Sequence, residues 1–253
     1  MKYLSLPAVA IQLTIAPCFA NSQSDLFRVA FFCPDRGPSA VCVFGTIPKA
    51  TKVTLLATNW KSSGTPKEKF PNTEFNNNFK TITRIAVAAP PPKRAFLIAI
   101  LAAAETVNVL PLKEIRDEAL VERIVAHIKS AKQLDLQPDT QILKTRLLRL
   151  SPTIVLSETC LAAPPYDAVA LEKDPTGSKF CDDVPMLVGK TLTDLFLGVE
   201  SACGGIRLAF ALSGRPYLVS YAATCEGDSF AVTLVHDLSG KKPKLVFSPV
   251  GGG

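Results

Sequence analysis

The clearest pattern in the chain is an alternation of apolar and polar residues between positions 203 and 249. Residues at every second position lie on one face of a β-strand, and two runs here follow that period. The apolar positions are Ile206, Leu208, Phe210 and Leu212 in the first run and Phe230, Val232 and Leu234 in the second. Ser-Gly turns at Gly214 and Gly240 follow the runs. Because glycine permits the backbone angles of a tight reversal, we predict a four-stranded antiparallel meander.

Shorter apolar runs in the N-terminal half predict further strands. Residues 26–33 and 41–47 are joined by a turn that contains proline and glycine, so they favour a β-hairpin. Further strands are predicted at 53–58, 79–87, 96–104 and 106–110, although the alanines of 96–104 also suit a helix. Residues 59–78 are polar and contain Gly64, two prolines and Trp60. We predict an exposed loop there, with Trp60 either packed on the core or used for recognition.

One segment has helical periodicity, from residue 112 to about residue 131. Leu120, Ile124 and Ile128 recur at intervals of four, and charged residues fill the opposite face. Pro111 precedes the segment, where its missing amide hydrogen is harmless. The fold class predicted from these patterns is α+β: a mainly antiparallel sheet with one long amphipathic helix, about 112–131, packed on it and disulfides stabilising the whole.

The remaining segments define a tentative domain organisation. Residues 141–150 fit either a strand or a short helix, 153–160 fit a strand, 164–181 fit a loop, and 193–202 fit a short helix capped by Thr193. A polar connector around residues 132–140 divides an N-terminal α+β region, 21–135, from a C-terminal β-rich region, 136–253. One continuous domain is the alternative.

The first twenty residues resemble a secretory signal. Lys2 provides a positive start, an apolar stretch follows, and Cys18 and Ala20 put small residues at the positions that a signal peptidase recognises. We therefore expect cleavage after Ala20 and a periplasmic or extracellular location. No apolar run in the remaining sequence is long enough to span a bilayer, so we expect no membrane span after signal removal.

The cysteine count fits an oxidising compartment. Removal of Cys18 with the signal leaves six cysteines, which permits three disulfides. The short separation of the first two favours Cys33–Cys42 as a pair. Nearest-neighbour pairing then gives Cys160–Cys181 and Cys203–Cys225. No pair has the Cys-x2-Cys spacing of zinc sites, and the two histidines are remote in sequence, so we expect no metal and no cofactor.

Charge and motifs exclude several classes of function. The whole chain has a net charge of +6, and its basic residues are scattered rather than clustered, so nucleic-acid binding is not expected. The sequence lacks Gly-x-Ser-x-Gly, a phosphate-binding loop, a dinucleotide fingerprint, His-Glu-x-x-His and an EF-hand loop. His127 lies beside the apolar stripe of the helix, so we expect it on the surface or partly packed. His236 lies near a turn, so we expect it at the rim of the sheet.

These observations favour an exported, disulfide-stabilised binding protein without catalytic activity, whose partner is another protein or a component of the cell envelope. The alternative is a secreted hydrolase that uses paired carboxylates. The acidic residues nominated for it lie beside cysteines; they are Asp182, Asp183, Glu226 and Asp228. The ligand and the oligomeric state do not follow from the sequence.

Overall fold

The protein is built mainly from antiparallel β-strands. The computed structural model describes residues 24–33, 40–73, 79–92, 97–130, 140–162, 182–189, 192–195, 202–224 and 232–248. These residues form sixteen strands, two short 3-10 turns and one α-helix of 13 residues. The predicted α+β class, with one long helix packed on a sheet, is therefore wrong.

Six strands close into a barrel, which removes the exposed edges that an open sheet would have. Their order around the barrel is β1-β2-β5-β4-β3-β6. The bounds are β1 Phe27–Phe32, β2 Val41–Phe44, β3 Val53–Ala57, β4 Trp60–Pro71, β5 Thr81–Val87 and β6 Leu97–Ile100. A buried cluster of aliphatic residues from these strands, including Val43, Leu55 and Ile85, forms the core of the barrel.

Two five-stranded sheets follow the barrel. The first, which we name the central sheet, has the order β16-β15-β14-β13-β7, with β7 Val107–Leu110, β13 Ala202–Leu212, β14 Arg215–Thr224, β15 Val232–Asp237 and β16 Lys244–Phe247. The second, which we name the outer sheet, has the order β12-β11-β10-β9-β8, with β8 Lys113–Ile115, β9 Gln141–Ser151, β10 Ile154–Ala162, β11 Asp182–Val188 and β12 Leu192–Asp194. The predicted meander corresponds to β13–β16, and β7 extends it by one strand.

The hydrophobic clusters show how these parts are layered. Phe27 and Ile98 of the barrel share one cluster with Phe210 of the central sheet. Leu218 of the central sheet shares another with Leu156 of the outer sheet. Helix α1, Glu118–Ser130, packs on the opposite face of the outer sheet. The molecule is therefore a stack of four layers in the order barrel, central sheet, outer sheet and helix.

The helix is shorter than the apolar periodicity suggested. Asp117 caps it, because its carboxylate accepts a hydrogen bond from the Leu120 amide at 3.0 Å. Upstream of that cap, Lys113–Ile115 pairs with β9 as strand β8. The predicted start at residue 112 is wrong because residues 113–115 pair with β9 as a strand, and the helix begins only after the Asp117 cap.

Two other local predictions also fail. The polar segment predicted as a loop from residue 59 is the 12-residue strand β4, which pairs with β3 and β5. One face of this strand is exposed, so polar residues are tolerated there. Trp60 at its start packs half-buried against the barrel core. The helix predicted from Thr193 is wrong at its start, because Leu192–Asp194 pairs with β11 as strand β12.

A β-bulge in β13 changes which residues share a face. Ile206 pairs with Ser220 and Leu208 pairs with Val219, so Arg207 between them has no partner in β14. Leu208 consequently faces the barrel, whereas Ile206 packs between the two sheets. The prediction that Ile206 shares a face with the later alternating residues is therefore wrong.

The two Ser-Gly turns are not equivalent. Ser213 and Gly214 have φ angles of 49° and 82° and form a two-residue hairpin turn between β13 and β14. Positive φ at both central residues matches the right-handed twist of the strands. Gly240 lies in a longer connection between β15 and β16 and does not adopt positive φ. The left-handed conformation was expected of both glycines, but of the two only Gly214 adopts it.

One predicted disulfide is visible in full. Cys33 and Cys42 are bonded across β1 and β2, with Cα atoms 5.8 Å apart. Cys160 is also disulfide-bonded, and Cys181, its predicted partner, lies outside the described residues. Cys225 lies outside them too, so the pairing Cys203–Cys225 stays a prediction. Among the described helices, none has the length and apolar character needed to cross a membrane.

Candidate functional site

A cleft of about 350 Å³ opens where the barrel, the central sheet and the outer sheet meet. Its walls come from all three layers. The barrel contributes the β3–β4 turn, the central sheet contributes β13, and the outer sheet contributes β8, β9 and the residue before β8. The residues that line it are Thr58, Leu112, Glu114, Arg146, Leu148, Ile206 and Arg207. Its volume lies within the range typical of small-ligand sites.

A buried ion pair supports one wall of the cleft. Arg146 on β9 lies directly opposite Glu158 on β10, and both its Nε and Nη2 atoms contact Glu158 Oε2. The Glu158 side chain is only 5% exposed, whereas that of Arg146 is 40% exposed. A buried carboxylate needs such partners because its desolvation is costly. The pair therefore fixes the Arg146 guanidinium at the cleft while Glu158 stays beneath it.

The bulge in β13 joins the two sheets at the same point. The amide of Ile206 donates a 2.7 Å hydrogen bond to Glu158 Oε1, which is an acceptor on the other sheet. Glu158 thus accepts from a side chain with one oxygen and from a backbone amide with the other. Bulges commonly redirect groups near functional sites, and here the bulge aims an amide across the interface between the sheets.

The barrel is connected to the bulge through its β3–β4 turn. The Thr58 hydroxyl donates to the Arg207 carbonyl at 3.3 Å. Asn59, the other turn residue, has φ of 59°, a left-handed conformation that asparagine adopts more readily than most residues. The turn therefore places Thr58 in the wall of the cleft, and all three β layers meet at the bulge, through Ile206 and Arg207.

Arg207 itself is exposed and held by an aromatic ring. Its guanidinium carbon lies 3.8 Å from the centroid of the Tyr221 ring on β14, which is a cation–π arrangement. Stacking occupies the flat face of the guanidinium and leaves its N–H edges available. In the described part of the chain, Arg207 forms no ion pair.

The cleft combines these charges with an apolar floor. Glu114 pairs with Leu148 across β8 and β9, so both lie on the same face of the outer sheet as Arg146. The Glu114 side chain is exposed and, within the described residues, makes no ion pair. Leu112, Leu148 and Ile206 supply apolar surface to the same cleft. The arrangement can bind charged groups and an aliphatic chain at the same time.

Of the four acids nominated for hydrolysis, the structure describes the backbone of two. Asp182 and Asp183 begin β11, where their backbones pair with Leu161 and Cys160. Glu226 and Asp228 lie outside the described residues. The hydrolase alternative therefore stays an untested hypothesis.

The two histidines occupy different environments. His127 is half-buried in the last turn of α1, as expected for a surface or partly packed histidine. His236 is only 3% exposed, so the predicted rim position is wrong. It pairs with Leu218 on the face of the central sheet that the outer sheet covers. The prediction used only the nearby turn, which gives no sign that a second sheet covers this position.

Burial controls the chemistry of His236. Desolvation lowers the pKa of the imidazole to about 4, and a hydrogen bond with the Leu195 backbone opposes this shift. Among the described residues, neither its Nδ1 atom nor the buried hydroxyl of Ser220 on the adjacent strand has a hydrogen-bond partner. His236 is therefore neutral at pH 7 and enclosed between the sheets, away from the residues that line the cleft.

The cleft residues were missed at the sequence level. Arg146 and Glu158 are 12 positions apart, and their contact depends on the register of β9 and β10. The alternation within each strand could have placed them on one face, but not opposite each other. Within the described ranges, no three histidine, cysteine, aspartate or glutamate side chains are grouped to hold a metal ion.

Comparison with known proteins assigns no family to this chain. No protein-family model matches it, and neither a curated protein nor a solved structure is significantly similar to it.

Proposed function

We propose that the protein is a non-catalytic binding protein and that the cleft between the three β layers holds its ligand. The observation that carries the proposal is the construction of this cleft around Arg146 and Arg207. Each guanidinium is held by a neighbour, Glu158 in one case and Tyr221 in the other, yet retains N–H groups for a further partner. Such preorganised groups lose little conformational entropy when a ligand binds.

Binding suits the residues of the cleft better than catalysis does. Among the described residues that line the cleft, Thr58 supplies the one hydroxyl, and it donates to a backbone carbonyl. The carboxylate of Glu158 is engaged by Arg146 and the Ile206 amide. A nucleophile paired with a general base, as covalent catalysis requires, is not found among the described residues that line the cleft.

Export forms part of the proposal. The N-terminal signal pattern supports a periplasmic or extracellular location, and the Cys33–Cys42 disulfide suits an oxidising compartment. In that location the ligand would come from the cell envelope or from another exported protein.

A fragment screen by NMR tests the proposed site. The isotope-labelled protein without residues 1–20 would be titrated with anionic, cationic, zwitterionic and neutral fragments. We expect saturable shifts in the amide signals of Leu112, Leu148 and Ile206 with at least one class. Arg207→Ala should weaken those shifts, whereas Arg149→Ala should not, since Arg149 is an exposed arginine on the opposite face of β9. If no fragment shifts these amides, the proposed function is wrong.

A further inference from the structure

The charges of the cleft indicate which class of ligand it fits, and this inference rests on the proposed function. Arg146 and Glu158 neutralise each other within the wall. Arg207 and Glu114 remain, one positive and one negative, each without an ion-pair partner among the described residues. The cleft therefore presents two unmatched charges of opposite sign rather than a single charge.

The positive side of the cleft suits a carboxylate. The Tyr221 ring covers one face of the Arg207 guanidinium, so its N–H edge is the part left for a ligand. The Nη1 atom of Arg146 is likewise not used by Glu158, which contacts Nε and Nη2. Guanidinium N–H groups match the planar geometry of a carboxylate, and such charge-assisted hydrogen bonds are stronger than neutral ones.

The negative side suits an ammonium group. Glu114 lies across β8 and β9 from Leu148 and lines the same cleft as the two arginines. Its carboxylate is exposed, so its contribution to binding is modest and screened by salt. Leu112, Leu148 and Ile206 line the same cleft and favour an aliphatic segment over a polar one.

We propose that the ligand is zwitterionic, with a carboxylate bound at Arg207 and Arg146, an ammonium group at Glu114 and an aliphatic segment between them. Amino acids with a terminal amine, and short peptides that carry both charges, belong to this class. Arg207 and Glu114 are then the residues that set specificity, one for each end of the ligand.

Three probes of equal chain length separate the contributions of the two ends. They are 6-aminohexanoate with both charges, hexanoate with the carboxylate alone and hexylamine with the ammonium alone. Dissociation constants would be measured by NMR titration of the cleft amides at low ionic strength. We expect 6-aminohexanoate to bind about 2- to 5-fold more tightly than hexanoate, because an exposed ion pair contributes that much. Hexylamine should bind most weakly.

Variants at each end provide the matched test. Glu114→Gln should reduce the preference for 6-aminohexanoate over hexanoate to about 1-fold, and removal of the negative charge should strengthen hexanoate binding slightly. Arg207→Ala should weaken both carboxylates by about 3- to 10-fold, as expected for lost charge-assisted hydrogen bonds at an exposed arginine. Arg207→Gln serves as a second variant, since it keeps a polar side chain at the bulge, and Arg149→Ala is the control arginine.

The outcomes distinguish the ligand class from the site itself. The zwitterion proposal is overturned if hexylamine binds as tightly as 6-aminohexanoate, or if Glu114→Gln keeps the preference intact. It is also overturned if other fragments shift the cleft amides and none of these three probes does, although the cleft would then still be a binding site. If no fragment of any class shifts those amides, the proposed function fails as well.

Discussion

Lowering the pH should destabilise the protein through one residue, His236. An unfolded chain exposes this histidine with a pKa near its ordinary value of about 6.5, whereas burial between the sheets lowers it to about 4 in the folded protein. Well above pH 6.5 neither state binds the proton, so the stability is complete. As the pH falls from 6.5 to 4, the unfolded state gains the proton first and stability is lost.

The size of this loss follows from the difference in pKa. A separation of about 2.5 units corresponds to about 3 kcal/mol over the whole range, since each unit is worth about 1.4 kcal/mol. At pH 5 we expect the loss from His236 to reach about 2 kcal/mol relative to pH 7.5.

Urea unfolding at several pH values measures this loss, with the fluorescence of Trp60 as the signal. The free energy of unfolding would be compared between the natural protein and His236→Gln, which cannot titrate. We expect the natural protein to lose about 2 kcal/mol more than the variant between pH 7.5 and 5. His127→Gln, at a half-buried surface position, controls for removal of a histidine. Equal pH dependence of the natural protein and His236→Gln would refute the reasoning.

Three further predictions concern the ion pair, the barrel and the disulfide. Arg146→Ala should cost about 3 kcal/mol of unfolding free energy, because it leaves the Glu158 carboxylate buried without its partner. Glu158→Gln should cost about 1 kcal/mol, because the arginine that it leaves is reached by water. Equal costs for the two variants in urea titrations at pH 7.5 would contradict this order. Gly64→Ala should cost about 1–3 kcal/mol, because the added Cβ would lie 2.5 Å from an isoleucine of β5, and an unchanged melting temperature would oppose it. Replacing Cys33 and Cys42 with serine should cost about 2–3 kcal/mol for a short loop. Because reduction also breaks the disulfide of Cys160, the variant and the natural protein would be compared again with both reduced, and a difference that remains would point to packing instead.

The sequence predicted many of the strands but not their arrangement in layers. Alternation identified the strands that became β5, β13 and β15, because each buries at least part of one face. It failed for β4, whose exposed polar face resembles a loop when single residues are considered. A polar strand on a barrel is stabilised by backbone pairing on both sides, and that pairing is set by residues far away in the chain.

The candidate site was harder to predict than the fold. Its key contact, Arg146 with Glu158, depends on strand register, and its hydrogen bond to the Ile206 amide depends on a bulge of one residue. Apolar periodicity carries no signal for either feature, since Ile206 keeps the parity of the residues after the bulge while facing the other way. The acidic pairs beside cysteines were nominated because their members are close in sequence. Closeness in sequence is a poor guide to a site whose residues come from three separate layers.

The aromatic cluster between the barrel and the central sheet has a consequence for how the chain folds during its synthesis. Phe27 in the first strand contacts the rings of Phe210, Tyr217 and Phe247, with centroids 5.6–6.2 Å away. The barrel strands are synthesised long before these partners. If the barrel forms first, its apolar surface around Phe27 stays exposed until β13–β16 have been synthesised. In that interval the Phe27 side is a natural contact for a chaperone, and a chain delivered in an extended state would avoid the exposure altogether.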